Sequence, residues 1–196
     1  MATTRPLART SRSVTRSLKG QVTTLGASVT AVWATFGVNT LLGGALLRFG
    51  IVPRTEAGLI GIVAAPFLHA NLDHLIANTL SFLLFGWLVM LRDRRHFAAV
   101  TVTAALCSGL AAWALGPPLS IHVGASGVIF GYLGFLLLSG WYARSLGSIA
   151  LSVLVATVWG GMVFGVLPGA PGISWQGHLG GFVGGVIAAR GFRTSR

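Results

Sequence analysis

Apolar residues in this chain come in runs too long for a soluble fold. Residues 22–47, 74–91, 97–115, 126–142, 147–167 and 177–189 are dominated by Ala, Val, Leu, Ile, Phe and Gly, with no Lys, Arg, Asp or Glu inside any of them. A bilayer core about 30 Å thick is crossed by roughly 18–20 apolar residues of helix. Backbone amides and carbonyls in lipid must be paired within the segment, which leaves helices as the solution for runs of this length. The last run is short, but Gly and apolar residues fill it and a basic tail stops it. These runs predict an all-α polytopic membrane protein, a bundle of six transmembrane helices over residues 21–192. A basic N-terminal tail (1–20), expected to be disordered, and a short C-terminal tail (193–196) flank it. Only 9% of the 196 residues are charged, far fewer than a soluble domain exposes.

The formal net charge of +11 invites a nucleic-acid reading, so its placement decides the matter. Arg5, Arg9, Arg12, Arg16 and Lys19 precede the first run; Arg92, Arg94 and Arg95 follow the second; Arg144 follows the fourth; Arg190, Arg193 and Arg196 follow the sixth. With six spans, twelve of the fourteen basic residues share one face, and only Arg48 and Arg54 fall opposite. The positive-inside rule then puts both termini in the cytoplasm. The charge is topological, with some attraction to anionic lipid, and nucleic acid is not expected as a partner. Residues 1–20, rich in Arg, Ser and Thr and free of acids, also fit an organelle transit peptide. Cys107, the single cysteine, lies within the third run, forms no disulfide and reads as a packing residue.

On this topology the outer loops are 48–73, 116–125 and 168–176, and the inner ones 92–96 and 143–146. The first outer loop carries its own apolar piece, Ala57 to Leu68. Twelve residues are too few to cross, which predicts a re-entrant or interfacial segment.

Polar groups within lipid are costly unless they have a partner or a task. His74 and Asn78 start the second span, four residues apart and hence on one helix face; His69 lies in the loop before them. Ser126 starts the fourth span and His178 the sixth, and all three spans descend from the outer side. Five polar residues therefore converge on one outer layer. Gly127 and Gly131 on the fourth span, and Gly177, Gly181 and Gly185 on the sixth, sit at a spacing that lets helix backbones approach closely. If those faces meet, Ser126 comes within reach of His178, the base a hydroxyl needs to become a nucleophile. The only acids are Glu56, Asp73 and Asp93, none obviously near His178, so a Ser–His dyad is expected in place of a triad. The developing oxyanion of a cleaved amide needs preorganised donors. The Asn78 amide, a His74 ring nitrogen and the Ser126 N–H at a helix start can supply them.

His69-x4-His74-x3-Asn78, Gly124-Ala125-Ser126-Gly127 and His178-x2-Gly181-x3-Gly185 stand in this order along the chain. Across about residues 25–190 the chain resembles the six-span bacterial rhomboids, which are intramembrane serine proteases. The resemblance implies Ser126 as nucleophile, His178 as general base, His74 and Asn78 as the oxyanion site, and His69 as a supporting residue. Gly124, Gly127 and Gly181 are carried with their motifs. It also implies transmembrane proteins as substrates, no cofactor and no metal, and residence in a membrane, with the compact form pointing to the bacterial plasma membrane. Phe130 stands where many members have a Tyr packed on the catalytic His; a phenyl ring can still stack. Met90 stands where Glu is frequent, Gly177 replaces a usual Ala, and the Trp-Arg pair typical of the first outer loop is missing.

Taken singly, each element has a plainer reading. Ser126 is a natural helix N-cap, His178 an interhelical hydrogen-bonder, and the Gly pairs ordinary packing. His122, four residues before Ser126, reads as a loop residue near the cavity mouth. Two rival functions fit the sequence less well. A metal site from His69, Asp73, His74 and His178 lacks a His-Glu-x-x-His signature and leaves Ser126 and Asn78 unexplained. A non-catalytic member that escorts membrane helices would generally lack the Ser or the His.

Overall fold

A computed structural model describes residues 6–92, 94–169 and 172–191. Asp93, Arg5, Arg193, Arg196 and residues 170–171, which entered the charge and loop readings, lie outside them. The described residues form seven α-helices: α1 (Pro6–Leu41), α2 (Glu56–Ala64), α3 (Leu72–Arg92), α4 (Arg94–Leu115), α5 (Ser126–Ala143), α6 (Leu146–Trp159) and α7 (Trp175–Gly191). The all-α membrane fold read from the apolar runs is what forms. Leu72–Arg92, His96–Leu115, Ser126–Ala143 and Leu146–Val166 are long and apolar enough to cross a membrane. α7 is only 17 residues long, and α1, though long, is diluted by Ser, Thr and Gly.

Three boundaries differ from the sequence reading for local reasons. The basic stretch expected to be disordered is helical from Pro6 onward, continuous with the first apolar run. That helix ends at Leu41, short of 47, because Gly43 and Gly44 take left-handed φ values of 62° and 87° and the Gly44 N–H closes back on the Asn39 carbonyl at 2.8 Å. Glycine there ends a helix without steric cost. The fifth run stops being α-helical at Trp159 and continues as a 3-10 segment over Gly160–Val166, beginning at Gly160-Gly161.

The short apolar piece of the first outer loop is α2 followed by a 3-10 turn over Ala65–Phe67. Thr55 caps α2 by accepting the Gly58 N–H at 3.0 Å. Leu59, Ile60 and Val63 face outward, while Gly58 and Gly61 press on the Gly50–Val52 backbone. An outward apolar face on a helix too short to span suits the membrane interface. In place of the missing Trp-Arg pair, Arg54 donates to the carbonyls of Ala114 (3.1 Å) and Gly116 (2.9 Å), a cation on the C-terminal end of α4. Trp113 Nε1 donates to the Thr55 carbonyl at 2.9 Å.

α5 is the central helix: 67% of its apolar window is buried, against 11% for the window spanning α6. Tyr132, Phe135, Leu133, Leu136 and Ile129 of α5 are fully enclosed, with Phe85 and Leu75 of α3 beside them. Tyr132 packs between Phe82 and Phe97 with ring centroids 5.8 and 5.6 Å away. Its hydroxyl donates to Thr101 Oγ1 at 2.7 Å, which in turn donates to the Phe97 carbonyl. α1 lies along α3, with Trp33 Nε1 donating to Thr79 Oγ1 at 3.1 Å. Arg92, Arg94, Arg144 and Arg190 all sit at helix termini on the end remote from the starts of α3, α5 and α7.

Candidate active site

Glycine sets the depth at which the two halves of the site meet. A Cβ at Gly181 would overlap the Gly127 carbonyl oxygen, and one at Gly185 would overlap the Gly131 carbonyl. One face of α7 therefore lies backbone-to-backbone on α5. Gly180 and Gly184 press in the same way on α4 near Cys107. At Gly127 a Cβ would also run into Ser108 Oγ, so α4, α5 and α7 converge at the residue after Ser126. The close approach expected from the glycine spacing forms, on two faces of α7.

This contact brings His178 Nε2 to 2.8 Å from Ser126 Oγ. The other ring nitrogen, Nδ1, lies 3.0 Å from the Gly165 carbonyl. A carbonyl can only accept, so Nδ1 carries the hydrogen and Nε2 is left to accept the Ser126 hydroxyl proton. The N-cap of α5 is Ala125, with no side-chain cap; Ser126 opens the helix and its hydroxyl is committed to the imidazole. The Phe130 ring stacks on His178 with centroids 4.1 Å apart and planes 11° apart, as its position four residues on allows. Gly165 has to be small: a Cβ there would meet Phe130 Cζ at 2.6 Å.

The first motif closes the site from α3. Gly124 takes φ 114°, and a Cβ on it would lie 2.7 Å from His74 Nε2 and 3.2 Å from Asn78 Nδ2. Both donors therefore sit directly over the backbone that leads into Ser126. Asn78 Nδ2 donates to His69 Nε2 at 2.9 Å, spending one of its two N–H groups on fixing the side chain and leaving the other. The buried His69 is thus a support for Asn78. Burial, reinforced by the neighbouring His74, pushes its pKa down to about 4, so at neutral pH it is the acceptor this bond requires. The His69 and His74 rings meet edge-on at 5.0 Å.

Beside Ser126 and His178 lies a cavity of about 30 Å³, bordered by Ser108, His122, Gly124 and Ser174. Its wall is mostly apolar but carries these hydroxyl and imidazole groups, and a cavity of that size has room for about one or two waters. The chemistry available is that of a hydroxyl with its base, two side-chain donors facing it, and room for water. Among the described residues, no three His, Cys, Asp or Glu side chains group closely enough to hold a metal. His69, Asp73, His74 and His178 do not form such a group.

A family model for the rhomboid domain matches residues 56–194. The chain belongs to the rhomboid family. It is 41% identical over 160 residues to an uncharacterized Mycobacterium tuberculosis protein, covering 78% of this chain and 67% of that one. It is 32% identical over 140 residues to a protein of Acanthamoeba polyphaga mimivirus named as a candidate rhomboid protein, covering 68% and 75%. It is 28% identical over 129 residues to a Bacillus subtilis protein named as a candidate rhomboid protease, covering 64% and 63%. Membership makes the chain an integral membrane protein of a family of intramembrane proteases.

The structure brings Ser126, His178, Asn78, His74 and His69 together in one layer, with Gly124, Gly127, Phe130 and Gly181 around them. Two features escaped the sequence. The acceptor for His178 Nδ1 is a backbone carbonyl, which every residue possesses, so only the Gly-rich end of the fifth run hints at it. His122, read as a loop residue, is tied into the layer by both ring nitrogens.

Proposed function

We propose that this rhomboid-family member is a six-span intramembrane serine endopeptidase, its protease domain spanning residues 21–192, that cuts transmembrane protein substrates. One observation carries the reading: Ser126 Oγ lies 2.8 Å from His178 Nε2 while Nδ1 is held by the Gly165 carbonyl at 3.0 Å. A base with a fixed tautomer, in reach of a hydroxyl at a helix start, is the arrangement nucleophilic catalysis needs. The Gly165 carbonyl takes the orienting place a carboxylate fills in a triad.

On this reading His178 Nε2 takes the Ser126 proton as Oγ bonds to the scissile carbonyl carbon. The oxyanion is met by Asn78, His74 and the Ser126 N–H. His178 then gives its proton to the amine nitrogen, the C–N bond breaks, and an ester to Ser126 remains. A water from the adjoining cavity gives a proton to His178 and attacks that ester, releasing acid and restoring the hydroxyl. A substrate helix hides its amides, so helix-weakening residues such as Gly near the cut should favour cleavage. α6 serves as the lateral gate: it is the least buried of the four long apolar spans, and its Trp159 meets Phe85 of α3 edge-on at 5.8 Å. The basic helix ends face the cytoplasm by the positive-inside rule, and the mycobacterial and Bacillus relatives favour a bacterial plasma membrane.

The test is cleavage of a labelled transmembrane peptide by detergent-solubilised protein. Activity is expected to vanish in Ser126→Ala and to be indifferent to chelators. Cleavage that persists in Ser126→Ala but stops with a chelator would replace the serine mechanism by a metal one.

A further inference from the structure

We infer that His122 is a positioning residue, holding the loop that delivers Ser126 at a fixed separation from the helix that delivers His178. His122 precedes Ser126 by four residues, and Ser174 precedes His178 by four. His122 Nδ1 lies 2.7 Å from Ser174 Oγ, a second rung beside the 2.8 Å Ser126–His178 rung. Both ends of this second rung are anchored. The His122 backbone pairs in both directions with Ile51 at 2.9 Å. Ser174 opens α7, its Oγ accepting the Gly177 N–H at 3.3 Å and its carbonyl the His178 N–H at 3.0 Å. A shift of Ser174 therefore shifts the first turn of α7, and with it the imidazole.

The hydrogens run consistently along one path. Ser120 Oγ donates to the Pro117 carbonyl at 2.7 Å, so at 2.9 Å from His122 Nε2 it accepts, and Nε2 carries the ring hydrogen. The opposite nitrogen, Nδ1, is then the acceptor for the Ser174 hydroxyl, whose oxygen also accepts from the Gly177 N–H. Every donor and acceptor is used once, with a neutral imidazole. Burial holds the His122 pKa below its ordinary value, which favours that form. Gln176, in the first turn of α7, donates from Nε2 to the Leu115 carbonyl at the end of α4, a longer contact of 3.4 Å. Gly116 accommodates the ring; a Cβ there would meet His122 Nε2 at 2.6 Å.

The inference rests on the serine–histidine reading, so Ser126→Ala is run alongside. kcat and KM for a transmembrane peptide are measured for wild type, His122→Ala, His122→Asn, Ser174→Ala and the Ala–Ala double variant. An ångström-scale loosening of reacting groups lowers rate by roughly 10- to 100-fold. His122→Ala is expected to lose kcat by about that factor with KM unchanged. His122→Asn keeps an acceptor facing Ser174 and should recover to within about threefold of wild type. The double variant should fall no further than the worse single one, the signature of one shared interaction. Wild-type kcat in His122→Ala, a rise in KM alone, or an Asn variant no better than Ala would each overturn the role. Cleavage surviving Ser126→Ala would instead overturn the underlying mechanism, a separate outcome.

Discussion

Gly181 offers the sharpest perturbation of the site without touching it. A Cβ there overlaps the Gly127 carbonyl oxygen, and both sides of that contact are helix backbone. No rotamer change relieves it, so α5 and α7 must part by about 1 Å, since non-bonded carbon and oxygen centres rest above about 3 Å apart. The next residue on α5 toward the site is Ser126, and His178 lies one turn before Gly181 on α7, so the separation opens directly between Oγ and Nε2. An ångström lost there corresponds to about 100-fold in kcat. Overpacking of a close helix contact costs about 1–3 kcal/mol of stability. Gly181→Ala should therefore cleave a transmembrane peptide roughly 100-fold more slowly, with a modest fall in melting temperature in detergent. Gly26→Ala and Gly37→Ala, where a Cβ meets nothing within 4 Å, are the controls and should cleave at the wild-type rate. Full activity in Gly181→Ala would show that close apposition of α5 and α7 is not what sets the Ser–His distance.

Three further outcomes follow from the same geometry. Asn78→Ala removes an oxyanion donor and should lower kcat by about 100- to 1,000-fold with little change in KM, measured with the same peptide; a loss confined to KM would reassign Asn78 to substrate binding. His69, held neutral with a pKa near 4 against an ordinary 6.5, makes the fold acid-sensitive. Between those values the unfolded chain binds a proton that the folded one excludes, so stability falls as pH drops through that window, by roughly 3 kcal/mol in total at 1.4 kcal/mol per tenfold. Melting temperatures taken from pH 7 to 4 should show the decline, and His69→Asn should flatten it. A disulfide engineered between α3 and α6 near Phe85 and Trp159, assayed oxidised and reduced, should block cleavage reversibly if α6 is the gate; unchanged activity would rule that out.

Much of this was legible because lipid leaves the backbone so few choices. Uncharged apolar runs located α3 to α5 and the start of α6 within a few residues, and the spacing of four between His74 and Asn78 put both on one helix face. The glycines of the sixth run announced the α5–α7 contact, since only residues without a side chain permit it. What stayed hidden depended on the backbone or on partners distant in sequence. Nothing local distinguishes the carbonyl of Gly165 from any other, yet it orients His178. The 3-10 stretch after Trp159 is apolar like the helix before it, so hydropathy ran through the break. Gly43-Gly44 could have marked the end of α1, but the leucines on both sides masked it. His122 looked like a loop residue because its partner, Ser174, is 52 positions away.

The most direct measurement is reaction with a fluorophosphonate probe, followed by mass spectrometry to locate the adduct. An activated hydroxyl at Ser126 predicts a single adduct there, abolished in His178→Ala. No adduct at Ser126, or one that forms equally well without His178, would contradict the pairing on which the proposed mechanism stands.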